Sequence, residues 1–418
     1  MPELSPETLQ DRLVLTRKHW LTLAVTTVLW MFDGYETYAL LLTLGPSLHE
    51  LLATSEFAHL SQIASYLIAL TLFGWAVGGI LGGFVGDQLG RRTTMIGAVL
   101  VYSLFTGTSA LVHSWQALAL TRFLTGIGLG AEWGVGTALL QEVWPDRLRT
   151  KGISFLQAAF SGGFVVASLF WIVIGGTLAL SWRWMYVFGV LPGLFVAVTG
   201  WMIPESERWY RTARTNVSVA SELLAYRRTL AVAIIVSVSI TVGFWGTSSW
   251  VPSVAASLVH GANNAVFYAG AAGTLFAVGE VIGCISFGLL SESLGRKYTL
   301  ALYLVGSIAV TPIVYLLVSD PRIFVLLQLV NGLVTGGLYG WYAVHPPELF
   351  PTAIRSSAIS LIFNSARLIA MFGPILSASL VVRLGGYGLA ATILSTVFLI
   401  GLIALLFLPE TKGKPLPA

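Results

Sequence analysis

Twelve apolar stretches, each of about 20 residues or more, recur along the 418-residue chain. A stretch of that length crosses the ~30 Å hydrocarbon core of a bilayer as a single helix. We number these predicted spans 1 to 12, at 19–45, 62–86, 93–113, 116–143, 152–179, 183–203, 230–258, 264–290, 298–318, 322–345, 356–382 and 386–408. Only 10% of the residues are charged and 56% are hydrophobic, whereas a soluble domain carries about 25% charged residues. The sequence therefore predicts an all-α integral membrane protein.

Basic residues are concentrated in one set of the predicted loops. They include Arg91 and Arg92 after span 2, Arg149 after span 4, and Arg355 after span 10. Positive charge marks the cytoplasmic side of a membrane protein. We call this side the basic face and predict that it is cytoplasmic, with both termini there because the number of spans is even. The net charge of +4 follows from this topology and gives no reason to expect nucleic-acid binding.

The chain contains an internal repeat. Segment 83–92 reads GFVGDQLGRR and segment 288–297 reads GLLSESLGRK, each after the second span of its half. EVWPDRLR at 142–149 likewise matches ELFPTAIR at 348–355, at nearly the same offset. Six spans per half give both halves the same orientation, so we expect them to be related by an axis along the membrane normal, with a solute site between them. The predicted units are a segment 1–18, a six-helix bundle 19–203, a linker 204–229, a second bundle 230–408 and a tail 409–418.

The first repeated segment has the pattern G-x-x-x-D-x-x-G-R-R, formed by Gly83, Asp87, Gly90, Arg91 and Arg92. It resembles the signature loop of the major facilitator superfamily, and the second copy departs from it with Glu292 in place of Asp. DGYE in span 1, GAEWG in span 4 and FNSARLIAMFGP in span 11 resemble the aromatic-acid:proton and sialate:proton symporters of that superfamily. The resemblance implies two pseudo-symmetric six-helix bundles and transport by alternating access.

Acids and arginines at the basic face form a predicted gating network. A carboxylate beside guanidinium groups can form bidentate ion pairs, and such pairs would hold the two halves together until the protein opens. The alternative is that the arginines only fix the topology. The predicted network consists of Gly83, Asp87, Gly90, Arg91, Arg92, Glu142, Arg149, Glu292, Arg296, Glu348 and Arg355.

Six charged residues lie inside predicted spans and away from the span ends, where a charge costs several kcal/mol and is a functional candidate. They are Asp33, Glu36, Arg122, Glu132, Glu280 and Arg367. Asp33 and Glu36 are three residues apart and share a helix face. Two neighbouring buried carboxylates disfavour double ionisation, so we expect one of them to bind a proton.

Span 4 supplies Arg122 and Glu132 to the predicted proton-coupling site. Glu36 matches the helix-one acid of sugar:proton symporters, and in related symporters the arginine at the position of Arg122 faces that acid. The resemblance therefore implies that Arg122 controls protonation of a span 1 acid. The alternative is a static ion pair that only joins spans 1 and 4. Glu132 is either a second proton site or a counter-ion.

Arg367 is the most informative residue for the solute. It lies ~18 Å along span 11 from Arg355, near the midplane, and its planar guanidinium suits a carboxylate. We predict that Arg367 binds the solute, with Asn364 one turn earlier, and the alternative is a structural pair with Glu280 or Glu132. Glu280 itself is either a proton site or that counter-ion. Arg122 and Glu280 are further candidates to bind the solute. Trp245 and Tyr339 are candidates to line the cavity, although aromatic residues also serve as packing or interfacial groups.

These residues favour proton-coupled symport of a small organic anion, such as an aromatic acid, a monocarboxylate or a sialate-like sugar acid. A sugar or polyol porter is the second possibility, although Arg367 has no use for a neutral solute. A drug:proton antiporter ranks third. No nucleophile–base pair, metal-ligand cluster or cofactor motif is recognisable, so we do not expect an enzyme. We expect a monomer in the plasma membrane, with no cofactor and the proton as coupling ion.

Overall fold

The computed structural model describes residues 15–145, 148–178, 180–212, 219–248, 251–260, 262–370, 380, 383–384 and 386–417. Throughout these ranges the chain is helical apart from short connections. This follows from the sequence, because a backbone in lipid must satisfy its N–H and C=O groups within its own helix.

The first half consists of six spans that follow the predicted order. Their helices are Arg17–Leu51, Leu60–Leu89, Arg91–Ser109, Trp115–Val143, Arg149–Trp171 with a π-helical extension Ile172–Thr177, and, for span 6, Arg183–Phe188 followed by Leu191–Thr199. Span 1 continues beyond its predicted end at 45 as one helix of 35 residues that includes Pro46. A single residue, Gly90, joins spans 2 and 3, and its φ of 104° is the conformation that glycine adopts most readily.

The second half repeats this plan with more interruptions. Its helices are Arg227–Ser248 and Val251–Ser257 for span 7, Ala262–Leu294, Arg296–Pro312 with Ile313–Leu317, Pro321–Asn331, Arg355–Ala370, and Tyr387–Ser395 with Phe398–Leu405. Span 10 continues from Asn331 through a π turn, a 3₁₀ turn and the short helix Gly340–Val344. Two helices, Glu207–Thr212 and Val219–Ala225, lie in the predicted linker. Most of the predicted end of span 11, from 371 onwards, lies outside the described residues.

Nine helices within the described part of the chain are long and apolar enough to cross a membrane. They correspond to all of the predicted spans except 1, 3 and 11. The lipid-facing surfaces carry large exposed side chains such as Leu104, Leu194 and Phe407. Such residues are stable in hydrocarbon and would be unfavourable in water.

The two halves contact each other along spans 2 and 11 and along spans 5 and 8, and glycines make both contacts close. A methyl group at Gly83 would lie 2.6 Å from the Cβ of Ser360 in span 11. A methyl group at Gly288 would lie 2.6 Å from the Cβ of Ser154 in span 5. The repeat in the sequence is therefore a repeat in packing, since the same small-residue contact occurs on both sides of the pseudo-axis.

Candidate functional site

Two buried glutamates join the halves at the basic face. Glu142, at the end of span 4, accepts hydrogen bonds from Arg91 of its own half at 3.2 Å and from Arg355 of the other half at 2.7 Å. Glu348 does the same in the second half, with Arg296 at 2.7 Å and Arg149 of the first half at 3.3 Å. The side chains are at most 7% exposed. We call the two ion pairs that cross between the halves, Glu142 with Arg355 and Glu348 with Arg149, the gate pairs.

Asp87 connects the signature loop to span 11. Its carboxylate lies 2.9 Å from Arg91 and accepts hydrogen bonds from the backbone N–H groups of Ser356 and Ser357, at 3.2 and 2.8 Å. Those N–H groups belong to the first turn of the span 11 helix, where a negative charge is stabilised by the helix dipole. Arg91 also donates to the carbonyl of Thr352 in the second half, at 2.6 Å. The basic face is therefore closed.

Two residues of the predicted network lie elsewhere. Glu292 does not join a gate pair; it contacts Lys151 at 3.5 Å, with the two side chains 30% and 49% exposed. Arg92 contacts its own half, where its guanidinium donates to the carbonyl of Ile203 at 3.3 Å. No ion pair of Arg92 with the second half occurs among the described residues, and its part in the inter-half latch stays a prediction.

Residues 409–417, the tail segment, also reach the gate, which the sequence did not indicate. Thr411 donates to Glu348 at 2.5 Å, and the carbonyl of Pro417 accepts from Arg355 at 2.7 Å. Glu410 binds the N-terminus of the span 9 helix. Burial raises the pKa of the Glu410 carboxyl, but hydrogen bonds from the backbone N–H groups of Lys297, Arg296, Lys412 and Thr411 outweigh it and bring that pKa below its usual value.

Glu205 has the equivalent position in the first half and was also missed. It accepts hydrogen bonds from the backbone N–H groups of Arg91 and Arg92, which begin span 3. Next to it, Gly90 has no room for a side chain, since a methyl group there would lie 2.5 Å from the Glu205 carboxylate. Pro-Glu occurs at the end of both halves, at 204–205 and 409–410, so the repeat contained a signal for this contact.

Inside the first half, Glu36 of span 1 and Arg122 of span 4 form an ion pair of 3.2 Å with both side chains fully buried. Thr106 of span 3 donates to the same glutamate oxygen at 2.9 Å. The guanidinium lies over the ring of Tyr186, 5.1 Å from its centroid, and two of its nitrogens have no hydrogen-bond partner within the described residues. Gly189 makes space for the glutamate, because a methyl group there would overlap its carboxylate.

Asp33 has a different partner from Glu36, although the two residues share a helix. Its carboxyl group contacts that of Glu132 in span 4. Asp33 is fully buried and Glu132 is 1% exposed. Neither Asp33 oxygen accepts a hydrogen bond from an N–H or O–H group in the described part of the chain. Two carboxyl groups in contact without another donor can hydrogen bond only if they share a proton, so this pair has the chemistry of a proton site.

Arg367 is held between two aromatic rings. Its guanidinium carbon lies 3.9 Å from the ring centroid of Trp75 in span 2 and 4.0 Å from that of Phe363. Trp133 stacks on the other side of Phe363 with centroids 3.9 Å apart. No carboxylate among the described residues forms an ion pair with Arg367, so the predicted structural alternative, a pair with Glu280 or Glu132, is absent there. The rings cover the guanidinium faces, and its Nη1 atom has no hydrogen-bond partner among the described residues.

Two family models match the chain: that of sugar (and other) transporters over residues 23–236, and that of the major facilitator superfamily over residues 262–418. The chain belongs to the major facilitator superfamily. As a member it is a multi-pass plasma-membrane transporter of metabolites and not an enzyme.

Similar proteins agree with this assignment. The chain is 28% identical to the cis,cis-muconate transport protein of Acinetobacter baylyi, over 90% of this chain and 92% of that protein. It is 28% identical to the sialic acid transporter NanX of Escherichia coli, over 81% and 82%. A putative metabolite transport protein of Haemophilus influenzae is 29% identical, over 95% and 98%. The structure of the proton:xylose symporter XylE matches with a TM-score of 0.77 at 20% identity, over 96% of this chain and 98% of that one, and shows the same fold.

The remaining predicted solute residues of this transporter have different surroundings. Asn364 is 1% exposed; it donates to the carbonyl of Ser360 at 2.9 Å and packs against Gly79 of span 2. It therefore contributes to the contact between spans 2 and 11. Trp245 and Tyr339 are hydrogen-bonded to each other, and Tyr339 lies at 4.8 Å, ring to ring, from Phe244.

Aromatic residues around Arg367 were missed by the sequence analysis. Trp75, Trp133 and Phe363 lie on three different spans, and their meeting depends on how the spans pack. Phe363 is four residues before Arg367, a helical spacing that brings the two side chains together, and this was the one available signal.

Proposed function

We propose that this transporter takes up a small organic anion together with protons, by alternating access. The observation that carries the proposal is the guanidinium of Arg367. It is enclosed between Trp75 and Phe363 at the interface of the halves and has no acidic partner in the part of the chain that the structure describes. A cation inside a membrane requires an anion or a water-filled cavity. The planar fork of arginine binds a carboxylate through two parallel hydrogen bonds.

The proton part of the proposal rests on the two acid sites of the first half. Arg367 is within electrostatic range of Asp33, although the two form no ion pair. An anion bound to Arg367 would cancel the positive potential that favours ionised Asp33. Proton binding at the pair of Asp33 and Glu132 would then be coupled to anion binding, and this coupling is reciprocal. The ion pair of Glu36 and Arg122 offers a second proton-accepting carboxylate.

The gate pairs control the conformational change in the proposed transport cycle. Because they close the basic face in this structure, the solute would enter from the opposite face. Proton and anion binding together would neutralise the site, and the halves would rock so that the gate pairs separate. The relatives named for cis,cis-muconate and sialic acid support organic acids as the solute class.

Uptake into proteoliposomes tests this function. The panel is radiolabelled benzoate, cis,cis-muconate, N-acetylneuraminate and xylose, each with an inward proton gradient. We expect an acid of the panel to accumulate and a protonophore to abolish the accumulation. Arg367→Gln should lose uptake while it still inserts. Arg183→Gln is the matched control, because Arg183 pairs with the half-exposed Glu50 away from the solute site. Normal uptake by Arg367→Gln, or indifference to the protonophore, would contradict the proposal.

A sugar porter is the second candidate, since the family model matching the first half describes sugar and other transporters. The same panel separates the two. Xylose uptake that survives Arg367→Gln would favour the sugar porter, because a neutral sugar does not need a guanidinium.

A further inference from the structure

Trp75 of span 2 carries a buried hydrogen-bond donor that no described residue accepts. Its side chain is 2% exposed, and its indole Nε1 has no partner in the described part of the chain. Buried indole N–H groups normally find an acceptor, because an unpaired donor inside a protein costs free energy. Trp133 follows this rule, since its Nε1 donates to Gln157 at 3.1 Å. Trp75 is therefore a donor that lacks its acceptor.

A second unpaired donor lies against the ring of Trp75. The guanidinium carbon of Arg367 is 3.9 Å from the centroid of that ring, and the Arg367 Nη1 atom is also buried without a partner among the described residues. Two unpaired N–H donors, one from each half of the protein, thus belong to one stacking contact. The Arg367 side chain as a whole is partly exposed, so other atoms of it border accessible space.

The position of Trp75 is fixed by close packing. A methyl group at Gly126 of span 4 would lie 2.9 Å from the backbone nitrogen of Trp75, and one at Gly130 would overlap the Trp75 carbonyl. On the side chain, the ring of Phe160 in span 5 lies 6.2 Å from that of Trp75, centroid to centroid. The backbone and the ring are both held in place, so the indole donor is preorganised beside the guanidinium.

We propose, on the basis of the proposed anion uptake, that Trp75 is a second solute-binding residue, whose indole N–H donates to the same carboxylate as the guanidinium of Arg367. An ionised carboxylate offers about four acceptor positions on its two oxygens, so it can accept from both residues at once. Trp75 belongs to span 2 and Arg367 to span 11. A carboxylate held by both residues therefore joins the two halves around the solute.

Binding measurements on the purified full-length protein test this role. The probes are benzoate, cis,cis-muconate and N-acetylneuraminate, and the acid that the wild type binds most tightly is used with the variants. Trp75→Phe keeps an aromatic ring beside Arg367 but removes the donor. We expect this variant to bind the probe at least about tenfold more weakly, as for the loss of a hydrogen bond to a charged group.

Trp30→Phe is the matched control. Trp30 is also 2% exposed, and its Nε1 likewise has no partner among the described residues. Its ring contacts Trp133 and Phe160, at 5.8 and 4.8 Å between centroids, rather than the guanidinium of Arg367. Trp30→Phe should change the affinity by less than about threefold, because it removes no donor to the carboxylate.

Nuclear magnetic resonance provides a second readout, specific to the indole N–H group. The indole nitrogens are isotope-labelled, and the Trp75 signal is the one absent from Trp75→Phe or, if that variant does not fold, from Trp75→Tyr. A charge-assisted hydrogen bond to a carboxylate is short and shifts the indole proton downfield. We expect this shift when the probe saturates the wild type, and no shift when the probe is added to Arg367→Gln.

The outcomes separate this inference from the proposed function. Trp75→Phe that binds as tightly as the wild type, Trp30→Phe that loses as much affinity as Trp75→Phe, or a Trp75 proton that the bound probe does not shift overturns the role of Trp75 even if Arg367→Gln loses all binding. Arg367→Gln that binds the probe as the wild type does, or a wild type that binds none of the three acids, overturns anion binding at Arg367 and the inference with it.

Discussion

Removing the charge of Glu142 should open the basic face. Glu142→Gln keeps the shape of the side chain but replaces the charged hydrogen bond to Arg355, 2.7 Å long in the closed state. Its bond to Arg91 lies within one half and is present before and after opening. Losing that bond therefore destabilises the closed and open states equally and does not change their ratio. A hydrogen bond to a charged group contributes about 1.5–3 kcal/mol. A loss of about 2 kcal/mol from the closed state alone changes the ratio of closed to open protein by about 30-fold.

Electron–electron distance measurements can detect this change. Spin labels at Leu89→Cys and Leu294→Cys, in a Cys284→Ser background, report the separation of the halves. Both leucines are exposed, at 62% and 47%, and end spans 2 and 8 at the basic face. We expect a short distance in the parent and a substantial long-distance population in Glu142→Gln.

Glu292→Gln is the matched control. Its pair with Lys151 also joins the halves, but the side chains are 30% and 49% exposed and 3.5 Å apart. Such a pair contributes at most about 1 kcal/mol, so the ratio should change by about fivefold or less. The reasoning is refuted if Glu292→Gln opens the protein as much as Glu142→Gln does, or if Glu142→Gln leaves the distance unchanged.

Three further predictions concern other parts of the molecule. Glu410→Gln should lower the free energy of unfolding at pH 7 by less than about 1 kcal/mol. Because the pKa of Glu410 is lowered in the folded protein, the difference between the two proteins should persist above about pH 4.3 and shrink as the pH falls below that value. Unfolding curves of both proteins at several pH values will measure this difference. Gly78→Ala places a methyl group against the carbonyl of Ile127 and should destabilise the folded protein by about 1–3 kcal/mol. Gly97→Ala is the control and should not destabilise it, because nothing lies within 4 Å of the added methyl group. Equal melting temperatures of the two variants would contradict this prediction. Glu36→Gln should lose gradient-driven accumulation but keep counterflow exchange, and accumulation equal to wild type would place the coupling proton elsewhere.

The sequence predicted the helices well because each span is a local property of composition and length. The repeat also predicted which residues gather at the basic face, since Glu142 and Arg355 occupy equivalent ends of the two halves. It did not show that Glu142 pairs with the arginine of the opposite half, because crossing pairs depend on how the bundles meet.

The solute site was harder to predict. Arg367 is conspicuous as a charge in an apolar span, but its enclosure by Trp75 depends on contact between spans 2 and 11. Asp33 and Glu36 appeared as one acid pair because three residues bring side chains to the same helix face. Their separation arises from span 4, where Arg122 and Glu132 lie ten residues apart and each meets a different acid at its own depth.

The tail segment stabilises the gate residues of the second half without joining the two halves. Thr411 donates to Glu348 and the carbonyl of Pro417 accepts from Arg355, and all four residues belong to the second half. These contacts can therefore persist when the halves separate. A buried charge that loses its partner is destabilised by several kcal/mol, and the tail segment leaves Glu348 and Arg355 each with a polar partner after opening. It thus lowers the free energy of the open state and keeps the two conformations close enough in free energy for repeated cycling.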